Sequence, residues 1–158
     1  MSHTAAVPVA LLLALALAGS AGAAPAAVPA TAALSSSKAG ATHVALTVVL
    51  TTELQCGRLM GSRTLVLMLP ARGRVATIPA AAVTVAGRPV SGVSVSGRAV
   101  TISLPLPHGM LCTSIRTGIA KVVLSPAAGI ANPASAGRYA IRVVHGGETF
   151  VAHLAIHA

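Results

Sequence analysis

The chain has 158 residues, 54% of them hydrophobic, yet it contains one Tyr, one Phe and no Trp. Eleven Lys and Arg stand against two acidic residues, Glu53 and Glu148, which gives a net charge of +9. This composition allows a single domain with a core of Val, Leu, Ile and Ala. It argues against acid–base catalysis by paired carboxylates and against nucleic-acid recognition through stacked aromatic side chains.

The N-terminus carries an apolar run, VPVALLLALALA at residues 7–18, followed by small residues that end in AGA at residues 21–23. The pattern predicts a signal peptide over residues 1–23, cut after Ala23. A membrane anchor is the alternative, but the run is shorter than the roughly 20 apolar residues that a spanning helix needs. We therefore expect a secreted, extracellular or cell-wall-associated protein without a stable membrane span, although no Lys or Arg precedes the run.

Residues 24–41 (APAAVPATAALSSSKAGA) are rich in Ala, Pro and Ser and show no clear periodicity. Such a segment is typical of a flexible lead-in or a cell-wall spacer. The folded domain is accordingly predicted over residues 42–158.

From residue 42 onward, apolar side chains recur at every second position, which indicates strands. A short internal repeat consists of VTVAGRPV at residues 83–90 and VSVSGRAV at residues 93–100. Each copy is predicted to place Gly at the second position of a tight turn, so the repeat predicts a three-stranded meander. The last strand of the meander carries Val100, Ile102 and Leu104. The other predicted strands are residues 44–50, 65–69, 119–124, 139–143 and 150–156, the last two joined by an HGGE turn. About seven short strands favour an all-β antiparallel sandwich.

The two cysteines of the chain, Cys56 and Cys112, are predicted to form a disulfide because an exported domain with an even cysteine count usually pairs them. In the chain-entropy model, closing this loop would stabilise the fold by about 3–4 kcal/mol. Two unpaired buried thiols are the alternative.

The segment PAAGIANPASAGRYAIRVV at residues 126–144 resembles a motif, AGI-x-NP-x-x-AG-x-Y, of β-sandwich repeats in bacterial surface-layer and other exported cell-surface proteins. Those repeats also carry an upstream V-x-V-x-G-x-x-V hairpin and a V-x-I-x-L-P strand, matched here by residues 83–90 and 100–105. The resemblance implies an immunoglobulin-like sandwich with a structural or adhesive role and no catalytic residues. The chain departs from the repeats by carrying one copy of the motif and a cysteine pair.

Catalytic chemistry finds little support in the sequence. Glu53 and Glu148 lie at predicted strand ends or turns, where a solvated charge is ordinary. GVSVS at residues 92–96 fails the G-x-S-x-G nucleophile pattern at its last position and alternates as a strand does. A disulfide would leave neither cysteine free as a nucleophile. We therefore predict no catalytic residues and no enzyme activity.

Metal binding has somewhat more support than catalysis, because potential metal ligands cluster near the C-terminus: His145, Glu148, His153 and His157. On one strand, however, His153 and His157 would lie about 13 Å apart, too far to share one ion. His145 and Glu148 could supply half a site, but ordinary surface residues are the simpler interpretation. The glycine loop at residues 57–64 lacks the lysine of a phosphate loop. No metal or other cofactor is therefore expected.

The positive charge predicts attraction to anionic polymers such as cell-wall polymers, acidic polysaccharides or nucleic acid. The arginines are spread along the chain without a run, so the alternative is that they simply solubilise an apolar surface. The sequence thus predicts a non-catalytic surface module with a structural or adhesive role, whose partners are surface proteins or anionic polymers. Electrostatic polymer binding is the alternative function, and no motif for specific nucleic-acid recognition is present.

Overall fold

The computed structural model describes residues 26–54, 64–70, 75, 77–104 and 116–158, which form an all-β fold. The strands are β1 (Val28–Leu34), β2 (Leu46–Leu54), β3 (Thr64–Met68), β4 (Val83–Val85), β5 (Arg88–Pro89), β6 (Gly92–Ser96), β7 (Ala99–Ser103), β8 (Arg116–Leu124), β9 (Gly137–His145) and β10 (Glu148–Ile156). Two single turns of 3-10 helix, Ala80–Ala82 and Pro126–Ala128, lie between strands. The predicted signal peptide at residues 1–23 lies outside the described residues.

The strands form one curled sheet in the order β5-β4-β8-β2-β1-β10-β9-β3-β7-β6. We call β5, β4, β8 and β2 the β2 half, and β10, β9, β3, β7 and β6 the β9 half. Neighbouring strands are antiparallel except β1 and β10, which are parallel. Buried side chains from both halves belong to one cluster, so the halves pack face to face as the layers of a sandwich do.

The core between the halves is aliphatic, as the composition predicts. On β2, the buried Leu46, Val48 and Leu50 alternate with half-buried neighbours, and the other long strands repeat this period of two. Phe150 is the single Phe of the chain and is 1% exposed. Burial of branched side chains at alternate positions therefore fixes the register of each strand, because a slip by one residue would turn the apolar set outward.

The segment before residue 42 differs from the flexible lead-in that the sequence predicts over residues 24–41. Its residues 30–34 pair antiparallel with β2, and its residues 28–29 pair in parallel with β10. Ser35 extends the ladder: its amide donates to the Ala45 carbonyl (2.9 Å), and its Oγ accepts from the Ala45 amide (2.9 Å). Small apolar residues recur at every second position of β1 and pack against the core. Sheet pairing thus orders a segment whose Ala and Pro content resembles a spacer.

The described residues form ten strands, against about seven predicted, because β1 was not predicted and the predicted meander is wrong. The structure forms two separate hairpins instead, β4–β5 in the β2 half and β6–β7 in the β9 half. Between them the chain crosses from one half to the other at Val90 and Ser91. Crossing here buries Val90 in the core and leaves Pro89, which cannot donate to a ladder, on an edge strand.

The turns of the two hairpins also differ in phase. In the β4–β5 turn, Gly87 is the second of the two turn residues, as predicted, and its φ is 75°. In the β6–β7 turn, Gly97 is the first turn residue, with a φ of 58°, and Arg98 is the second. The predicted position of this glycine is therefore wrong by one residue. The observed register pairs Val95 with Val100 and keeps the charged Arg98 in the turn. Burial of apolar side chains therefore decides the phase of the second turn.

One polar side chain is buried among the described residues, that of Asn132, which is 5% exposed. Its Nδ2 donates to the carbonyls of Ser36 and Lys38, at 2.9 Å each, and its backbone amide donates to the Ala41 carbonyl at 2.8 Å. These bonds hold the chain between β1 and β2 against the loop that precedes β9. Asn132 is thus a structural clamp between these two parts of the chain.

The change Asn132→Ala should leave two backbone carbonyls without their donor and lower the free energy of unfolding by about 2–3 kcal/mol. Urea denaturation followed by circular dichroism measures this loss. The control is Ser135→Ala at an exposed position of the same loop, where a change within about 0.5 kcal/mol is expected. Equal stability of the two variants would contradict the clamp.

Candidate functional site

The residues considered for metal binding lie around the β9–β10 turn and along β10. His145 and Glu148 are register partners beside the turn, and His145 Nδ1 lies 3.1 Å from the Thr64 carbonyl oxygen. His153 and His157 are exposed further along the chain. Within the part of the chain that the structure describes, no three His, Cys, Asp or Glu residues are grouped closely enough to hold a metal ion.

The residues considered for catalysis are dispersed over the sheet. Glu53 pairs with Thr117 in the β2 half, whereas Glu148 pairs with His145 in the β9 half. Ser94 lies in the middle of β6, which confirms that its segment is a strand. The two carboxylates of the chain therefore belong to different halves.

The predicted disulfide partners, Cys56 and Cys112, lie outside the described residues. The strands beside them are neighbours, because Leu54 and Arg116 are register partners at the end of the β2–β8 ladder.

The outward-facing side chains of the β9 half form a surface that we call the outer face. They alternate with core residues along each strand because successive side chains point to opposite sides of a sheet. From β10 to β6, the outer face includes Thr149, Val151, His153, Ala155, Arg138, Ala140, Arg142, Val144, Val66, Met68, Ala99, Thr101, Ser94 and Ser96. The surface is thus made mainly of small, aliphatic and hydroxyl side chains.

Arg138, Arg142 and His153 form a group on the outer face that we call the basic patch. The arginines are four residues apart on β9, so their Cα atoms lie about 13 Å apart. His153 pairs with Ala140, midway between them, and is therefore diagonally opposite both. All three side chains are exposed. The patch thus presents two guanidinium cations on one strand, with an imidazole on the neighbouring strand between them.

The two glutamates of the chain do not belong to the outward-facing residues of β9 and β10. Glu148 lies five residues before His153 on β10 and on the core-facing side of the alternation, and Glu53 belongs to the other half. Arg88 and Lys121 are also exposed, but they belong to β5 and β8 of the β2 half. Among the outward-facing residues of β9 and β10, the Lys, Arg, Asp and Glu side chains are those of Arg138 and Arg142 alone.

The rest of the outer face is uncharged. Val144, 38% exposed, is the large hydrophobic side chain that the described part of the chain leaves exposed. It pairs with Val66 on β3, and Val66 pairs with Thr101 on β7. Thr101 pairs in turn with Ser94 on β6. This row extends to the edge of the sheet without a charged side chain.

The basic patch was not predicted from the sequence, because the arginines are spread along the chain without a run. The signal was present in the spacing: residues four apart on a strand share a face, and a gap of four separates Arg138 from Arg142. What the sequence could not give was the pairing that puts His153 between them.

No helix in the described ranges is long and apolar enough to cross a lipid bilayer.

No protein-family model matches the chain, and no curated protein matches its sequence. Among solved structures, the chain is similar to BslA, described as a bacterial hydrophobin, with a TM-score of 0.53 and 16% identity over 82% of this chain and 97% of that one. The C-terminal domain of the Streptococcus agalactiae AgI/II polypeptide BspA matches with a TM-score of 0.44 and 11% identity, over 82% of this chain and 51% of that one. The likeness to BslA supports the fold, a curled all-β sheet.

Proposed function

We propose that the protein is a secreted or cell-surface module without catalytic activity and with a structural or adhesive role. The observation that carries this proposal is the fold, which matches BslA, a bacterial hydrophobin by description, over nearly all of that chain. The resemblance of residues 126–144 to surface-layer repeats supports the same role. So does an outer face built of adjacent strands with mainly uncharged side chains.

Export and disulfide formation belong to the same proposal. A signal peptide over residues 1–23 would deliver the chain to an oxidising compartment, where Cys56 and Cys112 can pair. The register of Leu54 with Arg116 supports this pairing, because these neighbours stand two residues before Cys56 and four residues after Cys112 in the sequence.

Expression of the full chain in a bacterial host should yield protein in the medium or the cell-wall fraction that begins at Ala24. Its intact mass should rise by two hydrogens on reduction, because one disulfide opens into two thiols. The matched control lacks residues 2–23 and is expected to remain in the cytosol. Recovery of the full chain in the cytosol with residues 1–23 attached would refute export, whereas an unchanged mass on reduction would refute the disulfide alone.

Electrostatic binding of an anionic polymer is the second candidate function, and the basic patch favours it. Arg138, Arg142 and His153 project from one strand pair, and the outward-facing residues of β9 and β10 include no Asp or Glu. An extended polyanion could follow the strand direction and contact the cations in succession. Such binding releases counterions, so its affinity must fall steeply with salt.

Heparin is a suitable probe of this binding. The double change Arg138→Gln and Arg142→Gln should lower heparin affinity about tenfold and reduce the slope of log affinity against log salt by about two, one for each lost contact. The charge-matched control is Arg88→Gln with Lys121→Gln, which removes two positive charges from the β2 half. Equal losses in the two double variants would show that net charge, and not the basic patch, governs binding.

A further inference from the structure

The sheet ends at β6 in the β9 half. In the described part of the chain, β6 pairs with β7 on one side and with no strand on the other. An edge strand of this kind presents unpaired backbone N–H and C=O groups that can accept a further strand.

The two terminal strands of the sheet differ in how well they resist pairing. β5 has two residues, Arg88 and Pro89, and thus combines short length, a charge and a residue without an N–H. β6 has five residues, GVSVS, none of them charged and none of them proline. Of the two ends, β6 is the one suited to pairing.

The hydrogen-bond alternation identifies which backbone groups β6 leaves free. Because the β6–β7 turn has two residues, the closing pair Ser96 and Ala99 is hydrogen-bonded, and Ser94 then bonds β7 in the same way. On the opposite side of β7, the Leu69 amide donates to the Arg98 carbonyl (2.9 Å). Arg98 and every second residue after it therefore bond β3, and the residues between them bond β6. The N–H and C=O groups of Val93 and Val95 therefore point to the open edge.

The charge distribution also leaves this edge open. The row that runs from Val144 through Val66 and Thr101 to Ser94 contains no charged side chain. Arg98 is the charged residue closest to β6 along the chain, and its Nε donates to the Leu69 carbonyl at 3.0 Å. That bond draws the guanidinium toward β3, away from the open side of β6.

We propose that β6 is a self-association strand, which pairs antiparallel with β6 of a second copy of this chain about a two-fold axis at Ser94. The segment is self-complementary about that residue: Val93 of each copy meets Val95 of the other, and the free groups of both form four backbone hydrogen bonds. The occupant is a second copy because this symmetry pairs like with like and extends the uncharged row of the outer face across the junction.

The junction consists of four backbone hydrogen bonds, so the self-association should be weak. It should also depend on salt. Two chains of net charge +9 repel each other, and added salt screens that repulsion. Association should therefore strengthen with ionic strength, opposite to the behaviour of polyanion binding. The proposal does not depend on export or on the basic patch.

Cysteine cross-linking tests the register directly. In the proposed pair, Ser94 faces Ser94 of the second copy in a non-hydrogen-bonded pair, with Cα atoms about 4.5 Å apart, which suits a disulfide. The change Ser94→Cys should give a reducible dimer at least about tenfold more abundant than in the parent chain. Ser96→Cys is the matched control on the same strand and face, because residues 96 would lie about 14 Å apart. All three proteins carry Cys56 and Cys112, so their background is the same.

Abundant dimer from Ser94→Cys with little from Ser96→Cys would support the proposal. Equal cross-linking of both variants, more from Ser96→Cys, or none from either would overturn it. Sedimentation velocity at about 0.15 M salt, where a Debye length of about 8 Å leaves directly opposed charges largely unscreened, gives an independent test: Ser94→Lys should weaken self-association of the folded protein about tenfold through like charges at the axis. Thr101→Lys adds the same charge one strand further in, so its association should match the parent; an equal effect of both lysines would count against the β6 junction.

Discussion

The structure depends on the hydrogen bonding of β1 to both halves of the sheet. Its residues 30–34 bind β2 and its residues 28–29 bind β10, so two layers that could otherwise slide are parts of one sheet. Val28 pairs with Phe150, the largest fully buried side chain, at the point where β1 meets β10. A core without Trp, and with one Phe, relies on the dense packing of many branched aliphatic side chains. That packing requires the two layers to keep a fixed register.

Asn132 completes this constraint beyond the end of β1. Its bonds to Ser36 and Lys38 hold the chain that returns from β1 to β2, and the Ala39 amide donates to the His157 carbonyl at 2.7 Å. With the core fixed in this way, the outer face needs few ion pairs for stability. It carries the basic patch on β9 and β10 and the uncharged edge at β6. Polyanion binding at the patch should weaken with salt, whereas self-association at the edge should strengthen with salt.

Period-two alternation was enough to predict the all-β class and most of the long strands, including the β9–β10 hairpin with its turn at Gly146 and Gly147. It failed where local composition and long-range pairing disagree. β1 consists of residues that are common in spacers, and its strand conformation comes from partners at least 12 residues away. The β4–β5 and β6–β7 hairpins share a sequence pattern, but burial of Val90 sends them to opposite halves. Of the candidate functional residues, Arg138 and Arg142 could have been assigned to one face from their spacing, whereas His153 required the register.

Amide hydrogen exchange of β1 tests the central claim most directly. The Ser35 bond to Ala45 sets the alternation, so the amides of Thr31, Ala33 and Ser35 donate to β2. If β1 joins the two halves, these amides should be as strongly protected as those of β2 and should exchange in the same cooperative unfolding step. Exchange of Thr31, Ala33 and Ser35 at the rates of an unstructured peptide, while β2 and β10 stay protected, would contradict the account.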